Sequence, residues 1–160
     1  MKVIFLDVDG VLNCAGSESR APSGVIGIDS SKVKRLKRVV ESTNAVIVLT
    51  STWKQEWSHA ESERSPDGNY MVKKLSREGL RILDKTNDQV VNRGQGIHDW
   101  LEKHGNVDSW IAIDDDVFAD YEKYGVMPHL VKTNFGTYGL TDDHVAQCIS
   151  ILNGAGSDAA

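Results

Sequence analysis

Two carboxylates, Asp7 and Asp9, stand at alternate positions where the apolar run Val3-Ile4-Phe5-Leu6 ends, and Gly10 follows them. Side chains alternate across a strand, so the two acids share a face until the chain turns at Gly10. That turn aims both into the space beyond the strand's carboxyl end. In open α/β sheets, ligands bind there. Two acids this close repel unless a cation or a shared proton relieves them, and a hard, oxygen-seeking ion such as Mg²⁺ is the natural companion. An Asp-Gly turn closing a strand explains the same residues without chemistry, and the segment alone leaves both readings open.

Three further groups of residues sit at comparable places. The run Ala45-Val46-Ile47-Val48-Leu49 is closed by Thr50-Ser51, and Trp110-Ile111-Ala112-Ile113 is closed by Asp114-Asp115-Asp116. Between them, Arg93 opens a helix-like stretch, Gly94 to Leu101. Each has a plainer reading. Thr50 and Ser51 suit the cap of a following helix, Arg93 an exposed helix start, and the acidic triplet a solvated turn. The triplet is the hardest to dismiss, because it directly follows a buried-type strand far from any compensating lysine. Trp53, Trp57, Trp100 and Trp110 read as core or edge aromatics rather than base-stacking platforms. His59, His98, His104, His129 and His144 lack metal-ligand spacing, and none is assigned to catalysis.

The elements that must position these residues alternate between strand and helix. The pattern gives strands at 2–6, 45–49, 80–84, 110–113 and 129–133, and helices at 30–42, 94–104 and 141–152. A loop fills 14–28, a helix-and-loop region 53–78, and a short helix 117–123. Ser30 and Thr141 serve as helix starts. Such alternation implies a parallel, three-layered α/β sheet with right-handed crossovers. Residues 1–153 read as one domain, and 154–160, without apolar periodicity, as a disordered tail.

Composition sets outer bounds. Apolar residues make up 40% of the 160, in runs too short to cross a membrane. The first residues enter a strand directly, with no basic segment and cleavage site ahead of it, so the expected location is the cytoplasm. Cys14 and Cys148 stand far apart, without a CxxC or Cys/His cluster, and indicate neither disulfide nor zinc. A net charge of −5 argues against broad attraction to nucleic acid. The basic cluster Lys32, Lys34, Arg35, Lys37 and Arg38 is interleaved with Val33, Leu36, Val39 and Val40, as on the solvated face of an amphipathic helix.

The D-x-D-G-V-L pattern after an N-terminal strand resembles the first motif of the haloacid-dehalogenase (HAD) superfamily. Thr50-Ser51 resembles its second motif, Arg93 the basic third, and Asp114-Asp115 the acidic fourth, in the same order. Leu49-Thr50-Ser51-Thr52-Trp53, Arg93-Gly94 with Ile97 and Trp100-Leu101, and Leu130-Val131-Lys132-Thr133 with Gly139-Leu140-Thr141 are similar to HAD phosphatase domains associated with RNA-repair proteins. Arg rather than Lys at the third position leaves Lys85 and Lys103 as competitors.

The resemblance implies a Rossmann-like HAD fold with a central parallel sheet of five strands in the order 5-4-1-2-3. It also implies a phosphomonoester hydrolase working through an aspartyl phosphate. Asp7 would be the nucleophile and Asp9 the general acid and base, while Thr50, Ser51 and Arg93, with backbone amides near Val8 and Asp9, would contact the phosphoryl oxygens. Mg²⁺ would be held by Asp7, the Asp9 carbonyl, Asp114 and Asp115, the last directly or through water. Segments 14–44 and 52–92 leave little room for the cap domains that enclose small substrates in this superfamily. The expected site is therefore open, bordered by 14–28 and 53–78, and able to admit a phosphate on a nucleotide, a polynucleotide end or a phosphoprotein. An idle HAD-like binding module, or a transferase to an acceptor other than water, remains the alternative reading.

Overall fold

The computed structural model describes residues 1–154 of 160; apart from Gly154, the expected tail lies outside the described residues. Five strands, β1 (Lys2–Leu6), β2 (Val46–Leu49), β3 (Ile82–Lys85), β4 (Ser109–Asp114) and β5 (Leu130–Lys132), form one sheet in the order β3-β2-β1-β4-β5. Every pairing is parallel. This is the expected order, and it makes the strands bearing Asp7, Thr50 and Asp114 neighbours.

The sheet is buried on both faces, as a parallel sheet must be. Along β1, Ile4 and Leu6 enter one core and Val3 and Phe5 the other. The first core is closed by α1 (Ser30–Thr43), α2 (Pro66–Ser76) and α4 (Asp142–Leu152), through residues such as Leu36, Met71 and Val145. The second is closed by α3 (Arg93–Lys103) and the turns after β4, where Phe5 packs edge-on against Trp100 and Trp110 at ring distances of 5.5 and 5.7 Å. Among the described residues no helix is long and apolar enough to cross a membrane.

The connections are compact. Only α1 lies between β1 and β2, and only two 3-10 turns (Thr52–Glu56 and Glu61–Glu63) and α2 lie between β2 and β3. Both helices are packed into the core, so no separate cap is folded over the sheet among the described residues.

Three expectations need correction. Residues 117–123 form successive turns rather than a helix. The Phe118 and Glu122 carbonyls accept bonds from the Tyr121 and Gly125 amides three residues on, Gly125 takes a φ of 70°, and the Asp120 side chain is drawn away to α3. The basic face of α1 is also not uniformly solvated. Lys32 is buried with Nζ 2.9 Å from Asp29, and Arg35 and Arg38 pair with Asp142 of α4. Asp29, not Ser30, occupies the N-cap of α1, whereas Thr141 caps α4 in a box with His144.

Candidate active site

Parallel pairing brings three strand ends together. The Asp7 amide donates to the Ile113 carbonyl and the Thr50 amide to the Leu6 carbonyl, so the chain leaves β1, β2 and β4 at one level. Past Asp7 it turns sharply: the Val11 and Leu12 amides both reach back to the Val8 carbonyl, and Gly10 adopts a φ of 82°. A side chain at Gly10 would collide with the Asp115 carboxylate. Glycine is thus required here both for backbone conformation and for close approach. Thr133, just past β5, fastens the turn from the far side by donating to the Gly10 carbonyl at 2.6 Å.

Asp7 and Asp114 are 5% and 1% exposed, and both face Arg93. Arg93 Nη1 lies 3.2 Å from Asp7 Oδ1 and 2.9 Å from Asp114 Oδ2. Tyr121 donates to the same Asp114 oxygen at 2.9 Å, and the Asp116 amide donates to the other at 3.1 Å. Oxygens of Asp7, Asp114 and Asp115 all lie within 4.8 Å of one another. Three carboxylates against one guanidinium leave the cluster electron-rich. Its donors are all hard oxygens, the set that suits a small divalent cation.

The electrostatics agree with that fit. Burial first, then the Asp114 charge, pushes the Asp7 carboxyl well above the ordinary carboxylate range; Arg93 opposes the rise and Asp115 adds to it. Burial raises Asp115 too, with Asp114 adding to it and a hydrogen bond to Asp7 opposing. Burial also works against the Arg93 cation, but Asp7 and Asp114 overcome it and hold that group protonated.

A carboxyl whose folded value lies above its unfolded one stabilises the fold while protonated. That stability is present below the unfolded value and lost as pH rises through the folded one. Without metal, Asp7→Asn should therefore gain melting temperature relative to wild type as pH rises above the ordinary carboxylate range. Added Mg²⁺ should raise the wild-type melting temperature more at neutral than at acidic pH. Parallel wild-type and variant curves would remove Asp7 from this linkage.

Asp9 has a different environment. It is exposed, and its carboxylate accepts from Asn13 Nδ2 at 2.9 Å and from Trp53 Nε1 at 3.3 Å. Asn13 is fully buried; its amide also donates to the Gly27 carbonyl, and its carbonyl oxygen accepts from the Gly10 amide. The Asp9 side chain is thus fixed beside the carboxylate cluster without belonging to it.

Thr50 and Ser51 are buried at the end of β2. Ser51 caps the 3-10 turn that follows, accepting from the Trp53 amide at 3.2 Å, as the plainer reading expected. The Thr50 hydroxyl makes no hydrogen bond to the protein among the described residues and lines an adjoining cavity with Arg93. The competing lysines lie elsewhere. Lys85 is clasped by the Lys54 and Trp57 carbonyls and Asp88, and Lys103 is exposed in the last turn of α3, at the end opposite Arg93.

Sequence reasoning missed the residues that hold this arrangement. Asp120 caps α3 from outside the helix, accepting from the Gly94 and Gln95 amides at 3.0 and 2.8 Å, and so fixes the helix end that carries Arg93. A Cβ at Gly94 would crowd that carboxylate at 2.7 Å. Trp53 is a core aromatic as expected, yet its ring N–H serves Asp9. Three of the five histidines take structural places: His104 and His129 stack on Trp100 and Trp110, and His144 completes the α4 cap.

The model of HAD domains in Swiss Army Knife RNA repair proteins matches residues 3–145, a span that runs from β1, less its first residue, through β5 and takes in every residue of the cluster. No curated protein and no solved structure matches the chain. The match agrees with the all-parallel five-stranded α/β fold, and the family carries a phosphohydrolase-type function. The chain belongs to the family of HAD domains found in Swiss Army Knife RNA repair proteins.

Proposed function

We propose that the protein is a cytoplasmic, Mg²⁺-dependent phosphomonoester hydrolase that works through a phosphoryl group carried on Asp7. One observation carries the reading: Asp7 is buried among Asp114, Asp115 and Arg93, while Asp9, two residues on, is held apart and open to the substrate side. Asp7 would be held as an ionised nucleophile by Arg93 and a bound cation, while Asp9, outside the cluster, is free to carry a proton to and from the substrate side.

In the first half-reaction an Asp7 oxygen attacks phosphorus. The bond from phosphorus to the leaving oxygen breaks, and Asp9 gives that oxygen its proton. In the second, Asp9 takes a proton from water, the water oxygen attacks phosphorus, and inorganic phosphate leaves with the Asp7 carboxylate restored. The Thr50 and Ser51 hydroxyls and backbone amides near Val8 and Asp9 donate to the phosphoryl oxygens, and Arg93 balances the charge between Asp7 and Asp114 at their edge. Asp7, the Asp9 carbonyl, Asp114 and Asp115 would hold Mg²⁺, which would supply charge neutralisation between nucleophile and phosphate.

The exposed Asp9 and the lack of a folded cap favour a phosphate on a large molecule, and a polynucleotide end fits the family. Turnover of an aryl phosphate, with and without Mg²⁺, tests the reading. Release of inorganic phosphate only with the metal is the expected result. Inactivity toward that substrate and a broad phosphate panel would make the protein a binding module, and phosphate appearing on an acceptor other than water would make it a transferase.

Trp53→Phe probes the placing of Asp9. Proton transfer by a positioned group contributes about 10²–10⁴-fold, and weakening only its positioning should lower kcat by about 10-fold with little change in KM. An unchanged kcat and pH profile would leave the Trp53 contact without a part in the reaction.

A further inference from the structure

Lys54 is a buried cation that the mechanism above leaves unused. It is 8% exposed, and its ammonium donates to Thr86 Oγ1 at 3.0 Å and to the Asn87 carbonyl at 3.1 Å, both neutral. It is paired with no carboxylate among the described residues. The acid closest in sequence to these partners, Asp88, is committed to Lys85 at 2.7 Å. Burial pulls the Lys54 ammonium below the ordinary lysine value, Arg93 and Lys85 add to the fall, and Asp88 opposes it. Arg93 is the contrasting case, since two carboxylates already balance it. A buried ammonium that no carboxylate touches is costly, and an anion brought by a ligand would lower that cost.

A place for such an anion adjoins it. Lys54 lines a cavity of about 170 Å³ at the carboxyl ends of β2 and β3, together with Thr50, Ser51, Thr86, Arg93 and Asp88, the last already paired with Lys85. None of Asp7, Asp9, Asp114 and Asp115 lines it. The cavity therefore lies to one side of the nucleophile, with Thr50 and Arg93 as the shared wall.

We propose that this cavity is a second anion subsite, in which Lys54 holds a phosphate group adjacent to the one that Asp7 attacks. The inference rests on the hydrolase reading and narrows its substrates to molecules carrying two neighbouring phosphate groups, the second free or in a diester. A substrate with one phosphate leaves the Lys54 charge unanswered.

Binding to Asp7→Asn protein, measured by calorimetry, tests this with three probes: phenyl phosphate, a nucleoside 3′,5′-bisphosphate and a dinucleotide bearing a terminal phosphate. Adding Lys54→Met should weaken the bisphosphate, the dinucleotide or both by about 10-fold or more beyond its effect on phenyl phosphate, the loss expected for one charge-assisted hydrogen bond. Lys54→Arg should keep most of that preference. The probe that loses more shows whether the second group is a monoester or a diester. Equal weakening of all three, or of none, overturns the subsite. Should Lys54→Met fail to fold, NMR decides: the Lys54 ε-methylene signals, assigned through Lys54→Arg, should move with the bisphosphate or dinucleotide and stay still with phenyl phosphate. No movement with either overturns it. Aryl phosphate turnover by the wild type is the separate test of the hydrolase: binding that depends on Lys54 without turnover sinks the hydrolase alone, and turnover without the Lys54 preference sinks the subsite alone.

Discussion

Asp7→Asn should reduce phosphomonoester turnover by more than about three orders of magnitude, because the group that would accept the phosphoryl is lost while its shape is kept. The fold should survive. Wild-type Asp7 is buried beside Asp114 and Asp115, and a neutral amide removes that repulsion, so the metal-free variant should melt no lower than wild type near neutral pH. The amide leaves the Arg93 contact to Asp114 in place. Near-normal activity in this variant would refute a covalent path through Asp7. A large fall in melting temperature together with lost activity would mean that Asp7 acts mainly as a structural partner of Arg93.

Arg93→Met should have the largest effect on stability. Its guanidinium is the counter-charge for two buried carboxylates, and removing one partner of such a buried pair typically costs about 3–5 kcal/mol. The loss should deepen as pH rises, since Asp7 must then ionise without the cation that favours its charged form. Mg²⁺ in excess should recover part of it. Urea unfolding at several pH values, with and without Mg²⁺, measures both effects. A pH-independent loss below about 1 kcal/mol would show that Arg93 is not the balancing charge of this cluster.

The parts of this site that were legible in the sequence are those where a strand ends on an unusual residue. Asp7, Thr50 and Asp114 each follow an apolar run, and parallel pairing in the order β3-β2-β1-β4-β5 carries them to adjacent positions. The parts that were not legible depend on side chains reaching across the fold. Asp120 caps a helix that begins 27 positions before it, as residues 93 and 120 show, and nothing local to either segment announces the bond. The same contact helps explain why 117–123 departs from the expected helix: its turns are arranged to deliver Asp120 to α3 and Tyr121 to Asp114. Lys54 was hidden for a related reason. It lies in the helix-and-loop region that begins at residue 53, and only the paired ends of β2 and β3 place its ammonium against Thr86.

The central claim is that the phosphoryl group passes through Asp7. The most direct measurement is mass spectrometry of peptides from enzyme mixed with Mg²⁺ and an aryl phosphate and quenched in acid within the first turnover. The account predicts the mass of one phosphoryl group on the peptide containing Asp7, absent in Asp7→Asn and absent when Mg²⁺ is chelated. Steady release of inorganic phosphate with no phosphorylated peptide at any quench time, in a protein whose Asp7→Asn variant still turns over, would contradict it.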